Sequence, residues 1–239
     1  MTLCWTGGAG FIIKTDSVTA GIDLYLSNAL MGADGSYKRL VPPPIQPESL
    51  PLDCLIASHG HGDHLDTGSV NKTIRADNET VLVCPDSAAL EAEKAGVDKG
   101  RIIRLNRGET LDLPGLHIQA VMADHGELSP DAVGFILHIE GKVIYFTGDT
   151  CFRTDFPRLV PLPEKIDLLL VPINGKYGNP NSLEAAYFVQ MLKPGVTVPC
   201  HYWLFAEHGG DPGEFISCCS RIAPGAKILT AAIGEEIVI

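Results

Sequence analysis

Short runs of apolar or β-branched residues, separated by turn-forming residues, recur along most of the chain. Each run has the length of a strand rather than of a helix. In order they are FIIK from Phe11, VTAGIDLYL from Val18, LDCLIAS from Leu52, TVLVC from Thr80, RIIRL from Arg101, LHIQAVMA from Leu116, VGFILHIE from Val133, KVIYFT from Lys142, DLLLVPI from Asp167, VTVPC from Val196, KILTA from Lys227 and EEIVI from Glu235. Runs that are apolar on both faces, such as VTVPC, predict a sheet that is covered on each side.

Three segments between these runs have the pattern of amphipathic helices. Residues 86–96 start with a potential capping Asp and end at a Gly. Residues 181–192 place Glu184 three positions after Asn181, the arrangement of a capping box. Residues 212–222 form the third candidate. The Gly141-Lys142 pair between two strand-like runs predicts a hairpin.

The alternation of strands and helices predicts an α/β sandwich of layers. The chain has 239 residues and no linker that would force a division, so we expect residues 1–239 to form a single domain. Its composition, 45% hydrophobic and 20% charged, is that of a globular protein with a full core.

The charge balance bears on the choice of partner. The chain carries 18 Lys and Arg against 29 Asp and Glu, a net charge of -11. Nucleic-acid surfaces need a basic face, so we expect no nucleic-acid partner. Apolar runs do not reach the ~18–20 residues needed to cross a bilayer, so we expect no membrane partner either. A small molecule remains the expected partner, and a homo-oligomer stays open.

Seven cysteines indicate the compartment. Their number is odd, they form no CxxC pair, and Cys218 and Cys219 are neighbours that only a strained bridge could join. The chain starts without the basic segment and long apolar core of a signal peptide. We therefore expect a reduced, cytoplasmic protein in which cysteines serve as small core residues.

The strongest chemical signal is an HxHxDH motif directly after the apolar run LDCLIAS. Its four ligand-type residues are His59, His61, Asp63 and His64. Imidazole and carboxylate groups are natural ligands of zinc, iron and manganese. We expect the two intervening glycines to let the turn fold tightly enough for these side chains to converge.

Three further ligand-type residues follow apolar runs in the same way. His125 comes after LHIQAVMA, Asp149 after KVIYFT and His201 after VTVPC. Open sheets place their ligand sites at the carboxyl ends of strands. A single histidine in such a place is usually structural, but four strand ends with the same chemistry predict one shared metal site.

In order and type these residues resemble the metallo-β-lactamase superfamily, and within it the L-ascorbate-6-phosphate lactonase-like branch. The resemblance covers nearly the whole chain. The stretches that carry it are HGHGDH, His125, Thr147-Gly148-Asp149-Thr150 and His201, with Gly8-Ala9-Gly10-Phe11, Ile22-Asp23-Leu24-Tyr25, Arg39-Leu40 before Val41-Pro42-Pro43-Pro44-Ile45, Pro172-Ile173-Asn174-Gly175, Pro199-Cys200-His201-Tyr202 and Gly210-Asp211-Pro212. Leu24 departs from the family, which has Pro there; it concerns an early turn and no metal ligand.

The resemblance implies a four-layer αββα sandwich, two mixed sheets flanked by helices, with two divalent transition-metal ions at one edge. Zinc or manganese is expected, and iron also suits these ligands. By this resemblance one ion is held by His59, His61 and His125, the second by Asp63, His64 and His201, and both by the bridging Asp149.

The implied activity is hydrolysis. Two neighbouring ions share a water and lower its pKa, so that hydroxide attacks an electrophilic carbonyl or phosphorus atom. The resemblance makes Asp63 the catalytic residue that passes a proton to the leaving group. We expect the substrate to be a lactone or another ester of a small polar, anionic metabolite. Cys151 is interpreted as a small buried side chain rather than a nucleophile, and His117 and His138 as structural residues.

Substrate-binding residues are harder to predict. Lys176 and Tyr177 follow the Ile173-Asn174-Gly175 turn, and Tyr202 adjoins His201, so we predict that these three residues contact the substrate. Further cationic or potentially cationic groups in loops are Arg39, Arg153 and His208. Taken one at a time, each of them is better explained as a solvated surface residue.

Two other activities use the same fold. Phosphodiester or nucleic-acid cleavage needs the same hydroxide, but the acidic charge balance disfavours a polymer substrate. Redox chemistry at a di-iron centre typically has Glu at the position of His61 and an added flavin domain, so His61 and the chain length disfavour it.

Overall fold

A computed structural model describes residues 1–77 and 79–239. Within this part of the chain, the strands are β1 (Thr2–Gly7), β2 (Gly10–Lys14), β3 (Thr19–Ile22), β4 (Cys54–Ile56), β5 (Val81–Cys84), β6 (Ile102–Arg104), β7 (Thr110–Leu113), β8 (Leu116–Met122), β9 (Val133–Ile139), β10 (Lys142–Phe146), β11 (Leu168–Pro172), β12 (Val196–Cys200) and β13 (Glu236–Val238). The α-helices are α1 (Val70–Ala76), α2 (Asp86–Lys94), α3 (Phe156–Leu159), α4 (Ser182–Leu192) and α5 (Pro212–Ile222).

The described strands form two mixed sheets. The first has the order β13-β1-β2-β3-β4-β5-β6, and the second has the order β12-β11-β10-β9-β8-β7. In the first sheet β3 to β6 are parallel, and in the second β10, β11 and β12 are parallel. Strand β9 is antiparallel to both β8 and β10, so these two strands run in the same direction. The carboxyl ends of β8, β10, β11 and β12 therefore lie along one edge.

The two faces of each sheet bury different side chains. On β4, Cys54 and Ile56 belong to the core between the sheets, whereas Leu55 points into a second core. That second core is completed by apolar residues of α1 and α2, such as Ile74 and Ala89. Helices α4 and α5 pack on each other and bury their apolar faces against the second sheet. The four-layer αββα sandwich is thus confirmed.

Helix starts agree with the sequence in part. The capping box of α4 is confirmed: the Asn181 side chain accepts from the Leu183 and Glu184 N–H groups. Helix α5 begins after Asp211, whose side chain caps it. Asp86 lies in the first turn of α2 and does not cap it, because Pro85 occupies the cap position.

The hairpin between β9 and β10 is confirmed, with Glu140 and Gly141 as its turn residues. Both have a left-handed backbone, φ 48° and 73°, as tight hairpin turns require.

The KILTA run is not a strand: Ile228 makes only a single bridge with Thr197. Strands β1 and β7 and helices α1 and α3 were not predicted; β7, α1 and α3 have only four, seven and four residues. Among the described helices, none has the length and apolarity to span a membrane.

Candidate metal centre

Four strand ends bring the predicted ligands together. His59 follows β4 in the first sheet, while His125, Asp149 and His201 follow β8, β10 and β12 in the second. The sheets are joined here by backbone hydrogen bonds, from Val133 N–H to the Ser58 carbonyl (3.1 Å) and from His201 N–H to the Gly8 carbonyl (2.7 Å). These bonds fix the distance between the two halves of the site.

The turn after β4 carries the remaining ligands. The His61 carbonyl accepts from the N–H groups of His64 (3.0 Å) and Leu65 (2.8 Å), which closes the turn. Asp63 and His64 are adjacent, yet His64 is buried while the side chain of Asp63 is 17% exposed. The turn thus directs His64 into the core and Asp63 toward a cavity above the site.

The glycines of this turn serve close packing rather than unusual dihedral angles. Neither has a φ in the left-handed region. A Cβ atom at Gly62 would lie 2.6 Å from Cδ2 of Leu30, and one at Gly60 would lie 3.3 Å from the Ser87 carbonyl. The prediction that glycine is needed for a tight turn is corrected: the turn needs glycine because neighbouring chain segments approach it.

The first group of ligand atoms comprises three histidines. Ser58 Oγ lies 2.9 Å from Nδ1 of His59, which leaves Nε2 of His59 facing Nδ1 of His61 at 2.8 Å. The other nitrogen of His61 lies 3.0 Å from the Leu128 carbonyl. One ring nitrogen of His125 lies within 4.8 Å of the two facing nitrogens. Ring nitrogens of the three histidines therefore converge, and the other nitrogens of His59 and His61 are engaged elsewhere.

The second group surrounds Oδ2 of Asp149. This atom lies 3.3 Å from Nε2 of His201, 3.5 Å from Nε2 of His64 and 3.8 Å from Nε2 of His125. Asp63 Oδ2 lies 3.5 Å from the same nitrogen of His201. Asp149 therefore lies between histidines of both predicted ion sites, and it accepts a hydrogen bond from Asn179 (2.7 Å).

Asp23 is a site residue that the sequence analysis did not identify. It follows β3, is fully buried and has a left-handed backbone, φ 45°. Its Oδ2 atom lies 2.6 Å from Nδ1 of His64 and accepts from Ser58 Oγ (2.6 Å), while Oδ1 accepts from Ser58 N–H (2.7 Å). A carboxylate behind a histidine fixes the ring and its tautomer, so Nε2 of His64 is directed at the site.

Burial and neighbouring charges shape the protonation of the cluster. Burial, with the neighbouring His64, holds the pKa of His59 well below its usual value, so His59 stays neutral. Burial also opposes charge on His64, but Asp149 and Asp63 reverse this and raise its pKa well above the usual value. Burial raises the pKa of Asp149, yet His201 and His64 outweigh it and keep that carboxyl ionised. The carboxylates of Asp149 and Asp63 thus already favour positive charge at this point.

The residues fit a metal centre. The donor set consists of nitrogen and carboxylate oxygen atoms, and facing ring nitrogens of His64 and His201 lie only 3.1 Å apart. On the far side of their rings, Nδ1 of His125 and of His201 are buried without a hydrogen-bond partner in the described protein. In the described protein, the polar contacts of both rings are therefore made by Nε2, which faces Asp149.

His208 joins the site as an eighth ligand-type residue. Its Nε2 atom lies 3.6 Å from Oδ2 of Asp63, and its ring centroid is 4.6 Å from that of His201. Asp63, His201 and His208 form a third convergent group. The sequence marked His208 only as a cationic loop group, because no apolar run or motif precedes it.

A cavity of about 260 Å³ opens onto these groups. Its floor consists of ligand-type residues, among them Asp63, Asp149 and His208. The rest of the lining is apolar or aromatic: Leu30, Tyr37, Leu128, Tyr177 and Phe205. Its volume is close to the lower end of small-molecule sites, roughly 300–1,000 Å³.

Comparison with known proteins identifies the family. The family model described as the Beta-lactamase superfamily domain matches residues 23–202, from Asp23 to just past His201. A UPF0173 metal-dependent hydrolase of Pyrococcus abyssi is 32% identical over 228 residues, 89% of this chain and 97% of that protein. The chain belongs to the metallo-β-lactamase superfamily and to its UPF0173 metal-dependent hydrolases.

Two solved structures share the fold over nearly their whole length. Igni18, a metallo hydrolase from Ignicoccus hospitalis, is 24% identical with a TM-score of 0.77, covering 99% of this chain and 97% of that one. An isothiocyanate hydrolase from Delia radicum gut bacteria is 21% identical with a TM-score of 0.76, covering 100% and 99%. At these identities the likeness concerns the fold alone.

Of the three substrate-binding residues predicted for this UPF0173 hydrolase, only Tyr177 lines the cavity. Lys176 is exposed, and its Nζ donates to the Glu207 carbonyl (2.6 Å). Tyr202 is buried in the core, where its ring stacks on Trp5 at 4.6 Å between centroids. Lys176 and Tyr202 thus lie outside the cavity lining, because a side chain beside a site residue in sequence can point away from the site, and substrate contact by Lys176, Tyr177 and Tyr202 stays a prediction.

Apart from His208, the other residues noted in the sequence also lie outside the cavity lining. The buried Arg39 guanidinium donates to the carbonyls of Tyr25, Val41 and Thr6. Arg153 pairs with Asp124 (2.9 Å) and Asp155 (2.9 Å). Burial and the Asp124 charge raise the pKa of the Cys151 thiol, which disfavours a thiolate nucleophile. His117 and His138 are cross-strand neighbours on β8 and β9.

Proposed function

We propose that this metal-dependent hydrolase activates water at a two-ion centre and cleaves a small lactone or ester. The observation that carries the proposal is the position of Asp149 Oδ2, within 3.8 Å of ring nitrogens from His64, His125 and His201. One carboxylate oxygen amid histidines of two ligand groups suits a bridging role. Two ions would lower the pKa of a shared water from about 15.7 toward 7 and polarise the bond to be broken.

The residues divide into two sets of ligands. Support for the first set is the convergence of ring nitrogens from His59, His61 and His125. Support for the second is the proximity of His64 and His201 to Asp63, with 3.7 Å and 3.5 Å between their Nε2 atoms and Asp63 Oδ2. His208 is an additional candidate for this second set.

Asp63 is proposed to move the proton. Burial raises its pKa, but His64 and His201 outweigh this effect, so the pKa lies below its usual value and the carboxylate is ionised. It lines the cavity and is the more exposed of the site's carboxylates, so it can reach both a water and a departing oxygen. An ionised carboxylate accepts the proton of the attacking water and returns it to the leaving alkoxide.

Zinc or manganese is the proposed metal, since imidazole with carboxylate accepts either. Lactones are proposed among the substrates because of the resemblance to the lactonase-like branch. All seven cysteines are free thiols, consistent with the proposed cytoplasmic location.

A substrate screen tests this proposal. Zinc- or manganese-loaded protein is offered matched lactones, carboxylic esters, thioesters and phosphodiesters, and turnover is measured before and after chelation. We expect chelator-sensitive turnover of lactones or esters and none of phosphodiesters. Turnover of phosphodiesters alone would replace the proposal with the phosphodiesterase alternative, and no turnover in any class would reject it.

A further inference from the structure

Ionisable and apolar residues line different parts of the cavity. Ionisable groups other than tyrosine are confined to the ligand cluster, and among the described lining residues there is no Lys or Arg. The cation nearest in sequence to the lining, Lys176, is held by the Glu207 carbonyl. An anionic group placed away from the ligand cluster would lose its hydration and find no positive partner, which is costly.

Apolar side chains form the walls instead. Leu30, Leu128 and Phe205 all line the cavity, and Leu128 is 57% exposed at its edge. A large exposed leucine beside a cavity is more informative than one on an ordinary surface, since apolar surface of this kind marks a binding site. An alkyl or aryl group of a ligand would cover Leu128 and the half-buried Leu30 and gain the free energy of removing them from water. The Phe205 ring is already buried, so it adds contact area but no further burial.

Two tyrosines complete the wall. The hydroxyl oxygens of Tyr37 and Tyr177 lie 3.4 Å apart, although 140 positions separate the residues in sequence. Both have a left-handed backbone, φ 51° and 56°, which is uncommon for a tyrosine and persists only where the surroundings enforce it. The fold therefore imposes the contact between these two tyrosines, which is not a chance contact of surface side chains.

One short segment, residues 205–208, contacts Tyr37 directly and meets Tyr177 through the His208 ring and through its neighbour Lys176. The Glu207 carboxylate accepts from Tyr37 N–H (3.0 Å), and the Phe205 ring packs edge-on against Tyr37 at 5.7 Å between centroids. The Glu207 carbonyl holds Lys176, the neighbour of Tyr177. The same segment carries His208, so it links the tyrosine pair to the ligand cluster.

The tyrosine pair leaves one hydrogen-bond donor free. Only one of the two hydroxyl hydrogens can lie between the oxygens, and neither hydroxyl has another partner in the described protein. The hydrogen bond with Tyr37, together with burial, raises the pKa of Tyr177 to about 12, so its hydroxyl keeps its proton at neutral pH. The free hydrogen can be donated to an uncharged carbonyl or ether oxygen.

We infer that the cavity selects an uncharged substrate with an apolar group, which packs on Leu30, Leu128 and Phe205 while the Tyr37–Tyr177 pair donates to a neutral oxygen. This inference rests on the proposed function, and it gives the substrate class of that same site. It differs from the anionic substrate expected from the sequence, which stays a prediction that the same experiment tests.

A binding experiment tests the inference without requiring turnover. Zinc-loaded protein is titrated by calorimetry with acetohydroxamate, butyrohydroxamate and hexanohydroxamate, and with the monohydroxamate of adipic acid, a six-carbon chain that ends in a carboxylate. We expect affinity to rise about three- to fourfold per methylene along the alkyl series. The terminal carboxylate should cancel most of the gain from the longer chain.

The outcomes separate the two claims. Binding that is independent of chain length, or tighter binding of the carboxylate-ended compound, would overturn the uncharged-substrate inference and leave the metal centre standing. Failure of every hydroxamate to bind the zinc-loaded protein would overturn the proposed function together with the inference.

Two substitutions test whether Leu128 causes the preference for an uncharged chain. Leu128→Lys should reverse the preference for the uncharged alkyl chain over the carboxylate-ended one. The carboxylate-ended hydroxamate should bind the variant at least fivefold more tightly than it binds the unmodified protein. Leu90→Lys, at an equally exposed leucine of α2 outside the cavity lining, is the matched control and should change nothing. If both variants behave alike, Leu128 has no part in selection.

The tyrosine pair has its own test, on whichever ester the screen identifies. Tyr177→Phe should raise KM about three- to tenfold with little change in kcat, because a bond to the substrate is lost and the ligand cluster is untouched. Tyr187→Phe, at an exposed tyrosine of α4, is the control. An unchanged KM in Tyr177→Phe would remove the hydroxyl pair from the binding site.

Discussion

Asp23 Oδ2 lies 2.6 Å from Nδ1 of His64, and both side chains are fully buried. The pair joins the end of β3 to the turn after β4, so a carboxylate 41 positions away sets the direction of a candidate ligand. The other Asp23 oxygen is engaged by Ser58 N–H, which prevents the carboxylate from rotating away. The relationship makes the binding of metal at His64 dependent on a residue that would itself contact no metal.

The first prediction concerns Asp23. Asp23→Asn should weaken the binding of one ion by about 10- to 100-fold, because the loss of the carboxylate frees the His64 ring and its tautomer. Competition with a chelator of known affinity measures the change. Asp53→Asn, which alters a carboxylate that accepts only from Thr19 N–H in the same sheet, is the control. Equal affinities in Asp23→Asn and Asp53→Asn would show that Asp23 does not position a ligand.

The second prediction compares two candidate ligands. Asp149→Ala should weaken the binding of both ions, since a shared carboxylate screens the repulsion between neighbouring cations as well as donating to each. His125→Ala should weaken mainly one, because its nitrogen belongs to the His59–His61 group. Metal titration followed by elemental analysis distinguishes the two patterns. Retention of both ions at full affinity by Asp149→Ala is incompatible with a bridging role.

The third prediction concerns proton transfer. Asp63→Asn should lower kcat by about 10²–10⁴-fold for every substrate, the range expected when a general acid–base group is removed. Metal content must be measured on the same samples, because Asp63 is also a candidate ligand. A variant with full metal content and near-normal kcat would place the proton relay elsewhere.

The fourth prediction concerns the backbone under Asp149. A Cβ atom at Gly148 would lie 2.5 Å from the Val133 carbonyl oxygen, and the residue has a φ of 63°. Gly141, with a φ of 73° and open space around it, has the same conformational demand without the clash. Gly141→Ala should cost about 1–2 kcal/mol of unfolding free energy, and Gly148→Ala about 1–3 kcal/mol more. Urea unfolding measures both; similar losses would mean that the backbone there can shift freely.

The strand ends that carry metal-type residues could be predicted from the sequence. A residue that follows a buried strand has few places to lie, and β8, β10 and β12 run in the same direction, so His125, Asp149 and His201 had to approach the edge that also carries the HxHxDH turn. The fold followed from the same pattern of runs together with the family resemblance. Short elements such as α1 lack that signal: its seven residues have no side-chain cap and only three are buried.

Residues defined by contacts between loops could not be predicted in this way. Asp23 precedes the motif by a long loop, and nothing in its neighbours marks the Ser58 and His64 groups it meets. His208 and Tyr37 reach the cavity only because the 205–208 segment folds back over it. Lys176 shows the opposite case: it adjoins Tyr177, yet the Glu207 carbonyl holds its side chain outside the cavity.

The account depends most directly on two ions acting in hydrolysis. The deciding measurement is the rate of ester or lactone hydrolysis as a function of zinc or manganese bound per chain, starting from protein that a chelator has stripped. We predict a rate near zero without metal and a plateau when two ions are bound per chain. Full activity in protein shown to contain no metal would contradict the account, as would a plateau at one ion with no second binding phase.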